Sequence, residues 1–358
     1  MIDTANILAA LAVQAGVCTQ MGSPFSGRVL TSVRDDVEGG GPFAGFFDAW
    51  DGVGLRGLVD DAVSLRILGG LQHLVLSGAD PDLAAVYPLS GADVDEAGLA
   101  AALVDAARRH HDILQGFMAS PPQTNEVRRS ICLVGGYLTL AKRTGLPLRC
   151  LEIGASAGLN MNWDLYRYDF GGGRAWGDPA SPVLLDTDWE GDAPPLDVQA
   201  VVAEKRGCDQ NPIDITDDAQ ARRLEAYIWA DQPERRARLR AAIGLARAAG
   251  DPLDKADAAA WVAAHLHPRE GVATVLVHSV VWPYLPPATQ GAITDSIRKA
   301  GESASASAPV AWLRMEPDPA SMAAAMEVRL SVWPGGDEIL LARVHPHGAK
   351  VIWLGESA

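Results

Sequence analysis

The chain has 358 residues, 48% hydrophobic and 21% charged, enough to build large cores without disulfide or metal staples. Its 30 Lys and Arg stand against 45 Asp and Glu, a net charge of −15; such a surface repels phosphate backbones and excludes nucleic acid as a partner. The longest uncharged stretch, 271–294, contains His278 and three prolines and does not read as a membrane span.

No basic residue precedes Arg28, so no secretory leader is read at the start. Cys18, Cys132, Cys150 and Cys208 form no CxxC pair, and the expected location is a reducing, cytoplasmic one. The first part of the chain reads as helical. Asp3 or Thr4 caps a run through Ile7, Leu8 and Leu11. A second helix is predicted over 60–77, stopped by Gly78, and a third from Asp95 to Met118 with Leu99, Leu103, Ala106, Leu114 and Phe117 on one face. A fourth opens at Thr124-Asn125-Glu126 and ends before Gly145. Its first residues, Asn125, Glu126, Arg128 and Arg129, either cover a ligand site or simply cap the helix.

The pattern changes at Leu148. Strands are predicted at 148–153, from Val198 to about Asp209, weakly near Leu253, and over 272–278, 310–315, 327–333, 338–344 and 350–354. Helices are expected over 218–249, with a possible break at Pro233, and over 258–265 and 288–300. The resulting fold class is α/β: a mainly parallel, Rossmann-like sheet closed by an antiparallel hairpin, behind a helical N-terminal domain. The expected division is 1–122 for the helical domain, a lid or specificity element, and 123–358 for the α/β domain, with a Gly/Trp-rich insertion at 165–197.

The turn Gly154-Ala155-Ser156-Ala157-Gly158 after the first strand has two functional readings. It can be a ligand-cradling loop beside a helix N-terminus. As GxSxG it can be a nucleophile elbow with Ser156 attacking an acyl group. An α/β-hydrolase places several strands before its elbow, whereas only helices precede this one, so the cradle fits better. A serine hydrolase remains the first alternative, and a non-catalytic binding protein the second. Glu152 ends a buried strand and needs a polar partner. Asp209, at the end of the second strand, suits ribose hydroxyls. Asp257 meets either an adenine amino group or its own helix N-terminus. His278 ends the fourth strand at the carboxyl edge, or is a satisfied core histidine.

The run Leu151-Glu152-Ile153-Gly154-Ala155-Ser156-Ala157-Gly158-Leu159-Asn160 resembles the first motif of class I S-adenosylmethionine-dependent methyltransferases. More closely, LEIGASAGLN, YRYDFGG, RGCDQNPID, YIWADQPERR, HSVVWPYLP, AWLRMEP and HPHG resemble a bacterial domain family of unknown function. The methyltransferase resemblance implies S-adenosylmethionine as cofactor and a small-molecule methyl acceptor. Glu152, Gly154, Ala155, Ser156, Gly158 and Asn160 would line the methionine end and its loop, Asp209 the ribose and Asp257 the adenine. His278, Trp282 and Tyr284 would face the acceptor, with His278 as base. The sequence departs from that family at the middle glycine, which is Ser156, and has no NPPY-like motif. His345-x-His347 and His265-x-His267 supply too few ligands for zinc, and no metal is expected.

Overall fold

The computed structural model describes residues 4–88, 96–318 and 326–357. Of the helix starts read from the sequence, Asp3 (the alternative to Thr4) and Asp95 lie outside them. The chain forms two compact units, one made of residues 1–124 with 216–237 and the other of 125–215 with 238–358. The segment 216–237, expected inside the second domain, therefore groups with the first.

Among the described residues the first unit holds only helices. Up to residue 124 these are α1 (Thr4–Gln20), α2 (Pro24–Glu38), a 3-10 turn (Ala44–Trp50), α3 (Leu55–Asp60), α4 (Val63–Leu76), α5 (Pro81–Ala85), α6 (Glu96–Arg109) and α7 (His111–Met118). The helix predicted over 60–77 is α4, which starts after Ala62 in a left-handed φ of 52°. The one predicted from Asp95 to Met118 is broken, with His110 (φ −119°, ψ 31°) separating α6 from α7. α2 was not anticipated. Its Phe25, Val29, Leu30, Val33 and Val37 are buried at helical spacing, and Pro24 takes the first turn, where its missing N–H costs nothing. Ser23 precedes this helix without capping it; Asp231 instead accepts the Phe25 N–H at 2.9 Å and the Ser23 hydroxyl. The core gathers Ile7, Leu11, Leu30, Phe43, Phe46, Leu58, Leu71 and Leu74 with Ala230 from the returning segment.

The second unit begins with α8 (Ser130–Thr144), ended by Gly145 in the left-handed conformation. β1 (Leu148–Ile153), buried at every residue, follows. The insertion forms a 3-10 turn (Asn160–Leu165) and the short strands β2 (Arg167–Asp169), β3 (Ala175–Trp176), β4 (Leu184–Asp186) and β5 (Asp188–Glu190). β6 (Val202–Asp209) is followed by α9 (Asp218–Glu225), which belongs to the segment returning to the first unit, and by α10 (Pro233–Ala249), so the predicted long helix is two helices, the second starting at Pro233. Then come β7 (Leu253–Lys255), α11 (Ala258–His265), β8 (Ala273–Ser279), α12 (Pro287–Glu302), β9 (Val310–Pro317), β10 (Met326–Trp333), β11 (Glu338–Val344) and β12 (Lys350–Trp353).

Among the described residues, nine strands make one mostly parallel sheet in the order β5-β12-β11-β10-β9-β8-β1-β6-β7. β7, β6, β1, β8 and β9 run parallel, and β9 to β12 form an antiparallel meander rather than a single hairpin. Leu151, Ile153, Cys208, Leu276 and Val310 share a core with Trp261 and Val262 of α11 and Ile293 and Ile297 of α12. On α8, a Cβ at Gly136 would collide with Leu313 of β9, so glycine sets how closely helix and sheet approach. No helix among the described residues is long and apolar enough to cross a membrane.

Candidate functional site

The site is built on the order of the strands. From β1 the chain runs outward to β6 and β7, then returns across β1 to β8. The strand order thus reverses between β1 and β8, and in open parallel sheets ligands bind outside the carboxyl ends of strands at such a reversal. Both strand ends at this point carry strained backbone. Ser156 has φ +56° and Val280 φ +55°. For a β-branched residue this region is rare, and such conformations cost about 1–3 kcal/mol each.

The loop between β1 and the 3-10 turn is held from several sides. The Ser156 N–H donates to Asp209 Oδ2 at 2.9 Å, and the Asn211 N–H to Asp209 Oδ1 at 2.8 Å. The Leu159 N–H donates to Asn125 Oδ1 at 3.0 Å, and Asn160 Nδ2 to the Glu126 carbonyl at 3.3 Å. Gly154 has φ +65°, and a Cβ there would lie 2.5 Å from Val281 Cγ2. Glycine is required at this place by Val281 packing onto it, not by open room for a ligand. A 3-10 turn follows the loop where the cradle reading expects a helix N-terminus, and its Asn162 departs from helical geometry. No α-helix dipole faces the loop from that side.

Glu152 is the most unusual group here. Leu151 and Ile153 join the core with α11 and α12, so alternation turns Glu152 to the opposite side of the sheet. Its residue is 7% exposed, and among the described residues no donor hydrogen-bonds its carboxyl. Burial pushes its pKa up to about 8; the Arg129 charge opposes this and Asp209 adds to it. The Ser156 hydroxyl is buried and also lacks a partner. A buried, unpartnered hydroxyl beside a largely buried carboxyl on one strained loop calls for an explanation, because a buried polar group is costly to leave without a hydrogen bond.

The other expected residues fall in different places. His278 is fully buried, with Nδ1 2.6 Å from Glu316 Oε1 and Nε2 accepting the Trp312 indole N–H at 2.9 Å. Those contacts define the neutral Nδ1–H tautomer and leave no ring nitrogen to take a proton from a substrate. The sequence expectation of His278 as base is corrected to a satisfied core histidine. Trp282 stacks on it at 5.0 Å between ring centroids, whereas Tyr284 is 77% exposed. Asp257 is exposed and caps α11 through the Ala260 N–H at 3.0 Å, its structural rather than its adenine role. Glu316, missed in the sequence, also receives the Val281 N–H at 3.2 Å through Oε1, while its buried Oε2 has no partner. The only hint was its position at the end of a strand, in AWLRMEP. At the opening of α8, Arg129 Nε donates to the Pro346 carbonyl at 3.1 Å, and His347 Nδ1 lies 3.6 Å from Glu126 Oε2. The HPHG segment therefore ties down the residues beside Glu152.

The chemistry open to this arrangement is limited. Among the described residues no histidine hydrogen-bonds the Ser156 hydroxyl, so the nucleophile elbow lacks its base. Burial pushes the Cys132, Cys150 and Cys208 thiols up to about 12, which keeps them protonated and unreactive. No group of three or more His, Cys, Asp or Glu among the described residues is placed to hold a metal. What the edge offers is three carboxyl groups, those of Glu152, Asp209 and Glu316, and the Ser156 hydroxyl, suited to hold a polar, cation-bearing ligand.

Comparison with known proteins found no match among curated proteins and none among solved structures. Residues 9–353 match the model of a family described as "Uncharacterized protein conserved in bacteria (DUF2332)", and the chain belongs to that family.

Proposed function

We propose that the second unit binds S-adenosylmethionine at the carboxyl edge of its sheet and transfers the methyl group to a small-molecule acceptor. The observation that carries this reading is the Glu152 carboxyl, buried without a donor beside the unpartnered Ser156 hydroxyl at the strand-order reversal. A cationic ammonium is the partner such a carboxyl lacks. When bound, the cofactor supplies a methyl group on a positively charged sulfur.

In this reading Glu152 holds the ammonium group and Ser156 adds a hydrogen bond. Each Asp209 oxygen accepts one backbone N–H and keeps a second lone pair for a ribose hydroxyl. Ser156 occupies the place of the middle glycine of the methyltransferase motif, and its left-handed φ is the conformation glycine takes freely there. Glu316, with one free oxygen at the end of β9, orients the acceptor, and His278 positions Glu316. The four unpaired cysteines accord with a cytoplasmic location.

Calorimetric titration of the full chain with S-adenosylhomocysteine tests the reading. Saturable binding is expected, weakened about tenfold or more in Glu152→Gln and in Asp209→Asn, the order of a lost charge-assisted hydrogen bond. Folded wild-type protein that takes up no S-adenosylhomocysteine overturns it.

A further inference from the structure

The motif YIWADQPERR plays no part in the site above. It lies in the returning segment of the first unit, and among the buried polar atoms around it that have no hydrogen-bond partner are His73 Nδ1, Arg223 Nη2 and the Tyr227 hydroxyl. All three side chains gather on one ring. The Arg223 guanidinium carbon lies 4.0 Å from the Phe117 centroid, His73 5.1 Å and Tyr227 6.0 Å, centroid to centroid. Local packing holds them there. A Cβ at Gly69 of α4 would sit 2.5 Å from the Tyr227 ring, and Gln72 Nε2 donates to the Ile228 carbonyl at 2.8 Å. Tyr227 is 7% exposed.

The local charge is positive. Burial, and then the nearby Arg222 and Arg223, hold the His73 pKa below its ordinary value. Arg66 and Arg223 lie near Tyr227, and Arg223 forms no hydrogen bond of acceptable geometry with the phenol. Asp61, the nearest acid to Arg66, is engaged by Arg66 and by the Trp50 indole. Glu225 faces Arg236 at 3.6 Å. The cluster has donors and positive charge, and among the described residues no carboxylate pairs with Arg223.

We infer that the first unit carries an anion site, in which Arg223, Tyr227 and His73 grip the carboxylate or phosphate oxygens of a small molecule against Phe117. The planar guanidinium suits either oxyanion, and the phenol and imidazole supply further donors. Both Arg223 and Tyr227 lie in a segment that joins the helical unit from far along the chain.

The test is a titration of the full chain with inorganic phosphate and, separately, with acetate, followed by NMR of the His73 ring and by thermal unfolding. The expected result is a saturable shift of the His73 resonance, a rise in its pKa and a rise in melting temperature. The response is lost in Arg223→Gln and weakened about tenfold in the isosteric Tyr227→Phe, the order of one hydrogen bond to a charged group. Saturation by phosphate alone identifies a phosphate ligand, and saturation by acetate a carboxylate. No saturable response to either anion at tens of millimolar overturns the inference, as does an equal response in both variants.

Discussion

Glu152 links the site to the stability of the molecule. An exposed glutamate titrates near 4.5, and burial moves this one to about 8. Below both values the carboxyl is protonated in the folded and unfolded chain alike. Between them the folded state binds the extra proton, so stability falls as pH rises through that window and levels off above about 8. Glu152→Gln removes the titration. Its advantage over wild type should grow from pH 5 to pH 8, reaching on the order of a few kcal/mol, as measured by denaturant unfolding across that range. A wild-type and Gln curve that run parallel would show that the carboxyl stays ionised. Ser156 gives the second test at this scale. Its left-handed backbone costs a non-glycine residue about 1–2 kcal/mol, so Ser156→Gly should raise the melting temperature and still bind S-adenosylhomocysteine. Were Ser156 an acyl nucleophile, the same substitution would abolish labelling by a serine-directed probe that wild type accepts.

At the scale of elements, helix α2 shows how local and distant signals combine. Its apolar positions and Pro24 were present in the sequence, yet its cap was not, because Asp231 lies 208 positions from Ser23. Asp231→Ala leaves the Phe25 N–H without its acceptor and should lower stability by about 1–2 kcal/mol, read as a shift in denaturation midpoint at unchanged slope. The strands were legible for the opposite reason. β1 and β8 are short buried runs rich in Leu, Ile and Val and bounded by turns, a pattern that depends on nothing far away. The same local reading placed Glu152, Ser156 and Asp209 at adjoining strand ends, where the structure has them. It failed for His278, whose satisfaction depends on Glu316 and Trp312 of the neighbouring strand β9, and no spacing within HSVVWPYLP reveals that pairing. It failed also for the single helix predicted over 95–118, since His110 carries no breaker signature.

At the scale of the whole chain, the return of 216–237 to the helical unit has a direct consequence for how that unit folds. Gly69 of α4 is open to the Tyr227 ring, Gln72 has the Ile228 carbonyl as its partner, and Ala230 completes the core that contains Leu11 and Leu71. A fragment ending at Thr124 keeps the apolar faces of α4 and α7 but loses what covers them, and it loses the Asp231 cap of α2 as well. Burial of Tyr227, Ile228 and Ala230 is worth several kcal/mol at about 25 cal/mol per Å² of apolar surface, a large share of the stability of a domain this small. The fragment alone should therefore show a broad thermal transition by circular dichroism. Addition of a synthetic peptide spanning 216–237 should sharpen the transition and raise its midpoint, and the same peptide with Asp231→Ala should do so less. A cooperative transition in the fragment, unchanged by the peptide, would mean that the first 124 residues form a complete core by themselves.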